Sequence, residues 1–370
     1  MGRWLYYTKK LARRWESDTS RWREPITIAL DAMGGDHGPA ANLEGALDAV
    51  TELRNLRIKL VGRSEELKKA LGKAFLPEEI EIVHAEEAFS MDAPPVEALR
   101  SPNSSIMRSI SLLERQEAQG FVSMGNTGAI VASSLVKLGR IDGIERPALM
   151  TLFPASEGRP TLVLDIGATV DCRPRHLLWF ARMGSVYAES VLDRPNPTVS
   201  LLSIGEEPSK GNSLIKETHQ LLKSSDLNFI GNIEGGDVLN GKSDVVVTDG
   251  FIGNTLLKFG EGSMGFLKHV AKKGRRSNLF SFLWRIIAKS EFKKIMREFD
   301  YSEYGGAPLL GIKGNVIVGH GRSSPKAIAN AISLAYIMAN SNIDKKLAAY
   351  AKSRQKIDQS QNIRNRIKSS

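Results

Sequence analysis

One pattern recurs along this chain and fixes its fold class. A short apolar, β-branched run leads into a glycine-rich turn, and the turn leads into an amphipathic stretch of helical spacing. Ile26–Leu30 runs into DAMGGDHGP and ANLEGALDAV, Gly120–Ser123 into MGNTG and AIVASSLVKL, and Thr161–Leu164 into DIGATVDCRP and RHLLWFARMGSVYAES. Val199–Ile204 runs into GEEPSKGN and SLIKETHQLL, Asp244–Thr248 into DGFIGN and TLLKFGEG, and Val316–Val318 into GHGRSSP and KAIANAISLAYIMAN. Short strands alternating with helices predict an α/β fold, a three-layer α/β/α sandwich around a mostly parallel sheet. Ligands of such sheets collect beyond the carboxyl ends of the strands, so the six turns are expected to converge on one site.

The pattern breaks once. Residues 268–297, KHVAKKGRRSNLFSFLWRIIAKSEFKKIMR, carry no strand signal, and 262–300 reads as a helical excursion from the body before YGGAPLLG returns the chain to the sheet. The expected organisation is a body at 25–340, an extension at 1–24 that is disordered or weakly amphipathic, and a basic tail at 341–370. At 370 residues, with 42 % hydrophobic and 25 % charged side chains, there is ample material for a core.

The net charge of +10 is unevenly placed. Residues 1–24 hold seven Lys/Arg against three Asp/Glu, and residues 341–370 hold eight against two, which accounts for the whole excess. Within the neutral body, residues 268–298 hold ten basic and two acidic side chains, so the rest is acidic. Such local blocks suit an anionic membrane or an acidic protein. No base-stacking aromatic pattern accompanies them, and nucleic acid is not an expected partner. The one cysteine, Cys172, excludes an internal disulfide and a paired-cysteine zinc site, and suits a reducing cytoplasm. Neither a secretory signal nor an apolar run of about 18 residues is present, so the protein is expected to be soluble or peripheral.

None of the turns has the spacing of a dinucleotide or nucleotide-triphosphate loop. Glycine nevertheless lets backbone N–H groups approach a ligand closely, and a helix N-terminus adds unpaired donors, so each turn can hold a phosphate-like anion. Polar side chains stand in the turns: Asp31, Asp36, Asn126, Thr127, Glu206, Glu207, Lys210, Asn212, Asp249 and Asn254. Several are expected to cap helices. Lys210 is the least explicable as a cap, and a phosphate clamp is its natural role. His320, between two glycines, is either structural or open to ligand. Cys172 is either structural or a covalent acyl carrier, and no histidine is placed beside it by motif. The acids and histidines show no metal-ligand spacing, and no cofactor is expected.

In order along residues 26–340, DAMGGDHGP, SMGNTGA, DIGATVDCRPRHLL, GEEPSKGN, GNIEGGDVLNGKSDVVVTDGFIGN and YGGAPLLG…GHG resemble the motifs of the bacterial phosphate acyltransferase family, PlsX. Two positions depart: Gly236 stands where the family often has an arginine, and Met124 replaces a smaller residue. The resemblance implies transfer of a fatty acyl group from acyl carrier protein to inorganic phosphate, giving acyl phosphate for phosphatidic acid synthesis. It implies catalytic roles for Lys210, Asn254, Asp249 and His320, with Asp249 orienting Lys210 or Asn254 and His320 assisting the leaving thiolate. Asp31, Gly34, Gly35, Asp36, Asn126, Thr127, Gly128, Asp165, Gly205 and Glu206 are the expected substrate contacts. A phosphate acetyltransferase-like enzyme using acyl-CoA, and a non-catalytic membrane adaptor, are the alternatives.

In the excursion, Arg275, Arg276, Phe280, Phe282, Leu283, Trp284 and Arg285 combine apolar and cationic side chains, and Lys293, Lys294 and Arg297 follow. The segment is expected to meet an anionic membrane surface, the acidic carrier protein or a second subunit of a homodimer. A cytoplasmic enzyme resting on the inner face of the membrane would pass its product to a membrane glycerol-3-phosphate acyltransferase.

Overall fold

The structure, a computed structural model, describes residues 24–156, 158–273 and 305–368. The six expected strands form, and five more join them in one sheet. In chain order these are β1 (Ile26–Asp31), β2 (Leu56–Gly62), β3 (Ile80–His84), β4 (Gly120–Ser123), β5 (Ala148–Phe153) and β6 (Thr161–Leu164). They are followed by β7 (Thr198–Leu202), β8 (Asn228–Ile233), β9 (Val245–Val247), β10 (Ala307–Leu310) and β11 (Asn315–Val318). The sheet order is β3-β2-β1-β4-β11-β10-β5-β6-β9-β7-β8.

Alternate side chains of each strand serve different cores, as the period of two requires. Val245 and Val247 belong to one core and Val246 to the other; Ile317 opposes Val316 and Val318 in the same way. The first core is covered by α1 (Gly38–Glu52), α2 (Ser64–Leu71), α5 (Pro174–Ser190), α6 (Ser213–Lys223), α9 (Pro325–Ser341) and α10 (Ile343–Lys368). The second lies beneath α3 (Ser105–Glu114), α4 (Thr127–Lys137), α7 (Gly235–Asn240) and α8 (Gly250–Lys273). The three-layer expectation therefore holds.

Two regions differ from the sequence-based boundaries. The basic C-terminal stretch is helical, and Ile343, Leu347 and Ala351 dock its first half into the first core. Helix α8 begins at Gly250, ahead of the expected TLLKFGEG helix, and runs on to Lys273, inside the expected excursion. Residues 275–297, which hold the expected membrane or carrier contacts, lie outside the described residues, as does the N-terminal stretch 1–23.

Strand direction corrects the largest expectation. β1, β2, β3, β4 and β11 are mutually parallel, and so are β6, β7, β8 and β9. Three antiparallel ladders, β11–β10, β10–β5 and β5–β6, lie between the two sets. Three successive reversals make the second set run against the first. The turns after β1, β4 and β11 therefore leave one edge of the sheet, and those after β6, β7 and β9 leave the opposite edge. The convergence rule assumed one strand direction, and β10 and β5 remove that premise.

Candidate active site

At the first edge, Asp31 ends β1 and is 1 % exposed. Its carboxylate accepts hydrogen bonds from Met33 N (3.0 Å) and Ser123 Oγ (2.7 Å), and Ser123 Oγ accepts from Gly125 N (3.0 Å). Burial raises its pKa against these donors. The turns close on each other backbone to backbone: a Cβ on Gly34 would lie 2.7 Å from Gly125 N. Gly35 has φ +89°, a conformation that costs glycine little. Asp36 N donates to Gly321 O (2.7 Å), and the exposed Asp36 carboxylate lies 4.0 Å from Arg322.

Asn126 caps α4, accepting from Ala129 N at 2.9 Å, and its amide donates to Met91 O at 2.7 Å. Thr127, exposed, begins the helix. Backbone N–H groups in a helix's first turn have no intrahelical acceptor. Those of Thr127 and Gly128 have no backbone partner among the described residues, which leaves two donors at the positive end of the dipole. Gly128 permits close packing, since a Cβ there would meet Pro95 at 2.6 Å. The neighbouring β11 turn is tied on by Gly319 N donating to Ser123 O (2.8 Å). It carries His320, half-buried, whose Nδ1 accepts from Arg322 N (3.1 Å). An accepting Nδ1 puts the proton of the neutral ring on Nε2. Burial lowers its pKa first; Glu261 and Asp36 oppose, while Lys258 and Arg322 reinforce.

At the second edge, Asp165 follows β6 with no exposed surface. Four backbone groups donate to it: Leu149 N (2.8 Å), Gly167 N (3.1 Å), Ala168 N (3.0 Å) and Thr169 N (2.6 Å). Burial still pushes its carboxyl up to about 6. Helix α8 docks on this turn: Gly250 N donates to Thr169 O (3.0 Å), and any side chain at Gly253 would run into the Asp165 carbonyl. Asp249 is buried and caps α8 through Ile252 N (2.9 Å). It makes no bond to Lys210 or Asn254 among the described residues, so the expected orienting contact is absent there; its oxygen satisfies the helix start instead. Asn254 is exposed, with its Cβ and Cγ 3.6 Å from where a Cβ on Gly167 would stand. Cys172 Sγ donates to Thr169 O (3.3 Å). Burial, then the Asp165 and Asp249 charges, push its thiol up to about 12, and the nucleophilic thiolate is suppressed.

The turn after β7 holds Lys210, exposed and without a side-chain bond among the described residues. Glu206 is engaged by Lys242, and Asn212 caps α6 through Ile215 N (3.0 Å). Gly205 is buried against Lys210, whose Cγ would be 3.0 Å from a Cβ there. A Cβ on Gly236 would meet nothing within 4 Å, so that position has room for a larger side chain. Among the described residues no group of three or more His, Cys, Asp or Glu is placed to hold a metal, and no helix is long and apolar enough to cross a membrane.

The expected set thus divides. His320, Asp31, Gly34, Gly35, Asp36, Asn126, Thr127 and Gly128 meet at one edge, and Asp165, Asp249, Asn254, Gly205, Glu206 and Lys210 at the other. The sequence reading passed over Lys258 and Glu261 of α8, a pair at 2.9 Å whose charges reach His320. Their spacing of three on a helix is that of an ordinary surface pair, and only the folded position of α8 separates them from one.

Residues 26–346 match the family described as "Fatty acid synthesis protein". A phosphate acyltransferase of Dictyoglomus turgidum is 47 % identical over 325 residues, covering 87 % of this chain and 96 % of that protein. One of Nostoc sp. is 45 % identical over 313 residues, covering 84 % and 92 %. Among solved structures, a phosphotransacetylase of Streptococcus pyogenes shares the fold with a TM-score of 0.54 at 16 % identity, covering 87 % of this chain and 94 % of that one.

Proposed function

The chain belongs to the fatty acid synthesis protein family, where relatives 42–47 % identical to it are phosphate acyltransferases, and it is an acyltransferase; from that premise we propose that it transfers a fatty acyl group from acyl carrier protein to inorganic phosphate, making acyl phosphate for phosphatidic acid synthesis. Near-full-length identity to those relatives is the observation that carries the reading. In the reaction a phosphate oxygen bonds to the thioester carbonyl carbon, the carbon–sulfur bond breaks, and the thiolate leaves to be protonated. Phosphate is already an anionic nucleophile, so the protein's task is to hold it against the carbonyl and stabilise the developing oxyanion.

The first edge suits that task. The N–H groups of Thr127 and Gly128 at the head of α4 supply donors for a phosphate dianion, and His320 stands beside them on the β11 turn. Asp31 and Asn126 hold the turns in place, their polar atoms spent on protein partners. At the second edge Asp165 and Asp249 spend their oxygens on backbone donors in the same way. Lys210 and Asn254 there serve the donor: the unspent ammonium suits the acidic carrier or the phosphate of its prosthetic arm. The basic segment 268–298 rests on an anionic membrane, from which the product passes to a membrane acyltransferase using glycerol 3-phosphate. The enzyme works from the cytoplasm as a homodimer.

The deciding assay is phosphate-dependent release of acyl phosphate from acyl carrier protein, run beside acyl-CoA. No acyl phosphate from the carrier-bound donor overturns the proposal, and efficient use of acyl-CoA alone redirects it. A lost charge-assisted hydrogen bond costs about 1.5–3 kcal/mol, roughly a 10- to 160-fold loss. His320→Gln is expected to raise KM for phosphate, and Lys210→Ala to raise KM for the donor; the reverse pattern exchanges the roles of the two edges. Flotation of Phe282→Asp/Trp284→Asp with anionic liposomes tests the membrane contact, and flotation equal to wild type removes it.

A further inference from the structure

Helix α8 starts at the second edge and climbs one face of the sheet toward the first. Its origin is fixed by Gly250 and Gly253 on the Asp165 turn. Ten residues on, Gly260 packs against Phe153, with the Phe153 ring carbon 3.8 Å from a Cβ built there. Phe153 is the last residue of β5, which runs in the direction of β11 and so ends at the first edge. Ten residues of helix rise about 15 Å, enough to pass the short strands of this region.

Asn254, Lys258 and Glu261 follow at i, i+4 and i+7 and occupy one flank of the helix. Asn254 lies beside the Gly167 turn at the second edge. Lys258 Nζ and a Glu261 carboxylate oxygen pair at 2.9 Å, with side-chain exposures of 57 % and 25 %. The pair flanks Gly260, which packs on the first-edge end of β5, and both charges act on His320. A helix belonging by sequence to one half thus delivers charged groups to the turn of the other.

We infer that Lys258 and Glu261 are positioning residues of the first-edge anion site: the Glu261 carboxylate holds the Lys258 ammonium where it attracts phosphate and, together with it, sets the charge on His320. This rests on phosphate binding at that edge. Among the described residues, Arg322 on its own turn and Asp36 on the β1 turn also act on the ring. Lys258 and Arg322 keep the ring neutral, with its proton on Nε2, while Glu261 and Asp36 pull toward imidazolium. Losing Lys258 removes a cation from the path of the dianion as well as a brake on ring protonation; losing Glu261 releases the ammonium and lowers the ring's pKa.

The test is an NMR titration of His320 in the full-length protein, its ring signal identified by its absence in His320→Gln. Lys258→Met is expected to move the ring's pKa up and Glu261→Gln to move it down. Inorganic phosphate added to the wild type is expected to shift the same signal saturably, with the apparent Kd rising about five- to tenfold in Lys258→Met and recovering in Lys258→Arg. Unmoved ring titrations in both variants overturn the inference, as does phosphate affinity within twofold of wild type in Lys258→Met. Neither readout needs turnover: a wild type that makes no acyl phosphate defeats the proposed reaction while leaving the pair testable.

Discussion

Asp165 shows how a side chain can look like a ligand contact and be occupied elsewhere. Its two oxygens receive four backbone N–H groups, and an amide replacing one oxygen would set its own donors against one of them. Asp165→Asn is therefore expected to destabilise by about 1–3 kcal/mol, read as a lower denaturation midpoint. At Cys172 the raised thiol pKa predicts that Cys172→Ala keeps turnover within about twofold, since no thiolate is available to carry an acyl group. His320 carries a pH signature. Protonating Nδ1 sets an N–H against the Arg322 amide, and the lowered folded-state pKa means that the neutral ring favours the native state. That contribution is fully present above about 6.5, the unfolded-state value, and is lost as pH falls through the folded-state value. Denaturation midpoints compared between wild type and His320→Gln across pH 5 to 8 should separate on the acidic side. These roles were not legible in the sequence, because a turn motif shows which polar groups are present and not which backbone donors reach them first.

The helices were legible where caps and glycines punctuate them. Asn126, Asn212 and Ser324 each begin a helix by accepting from the N–H three residues on, a pattern readable from residue type and position. Asn126→Ala is expected to cost about 0.5–2 kcal/mol from the cap and to loosen the Met91–Ala93 loop that its amide also holds. Faster hydrogen exchange there, beyond that in α4, is the specific readout. Helix α8 was legible only in its first turns. Its reach across to β11 depends on Gly253 sitting under the Asp165 carbonyl and Gly260 against Phe153. Neither contact leaves a periodic trace in the sequence.

For the molecule as a whole, the sequence specified a three-layer sandwich and misdirected the eye at one point. Six turns of one kind suggested one site, yet β10 and β5 turn the sheet's direction between them. Both strands are short and apolar, and nothing in ALMTLF or APLL announces an antiparallel neighbour. The arrangement predicts how substitutions combine. If Lys210 serves the donor and His320 the phosphate, with no shared partner, the losses in kcat/KM from Lys210→Ala and His320→Gln should multiply in the double variant, within about 0.5 kcal/mol. A marked shortfall from that product would join the two in one cluster.

The ladder between β10 and β5 consists of two residue pairs, Leu309 with Leu149 and Leu310 with Ala148. Mechanically it is a narrow bar between two stiffer plates, and α8 is anchored on the β5–β6 side of it, at the Asp165 turn and at Phe153. Twist at the bar would change the separation between Lys258 on one plate and His320 on the other, and with it the charge felt at the anion site. A buried substitution at that ladder, such as Leu309→Ala, would detune the site from beneath without altering a group that faces it.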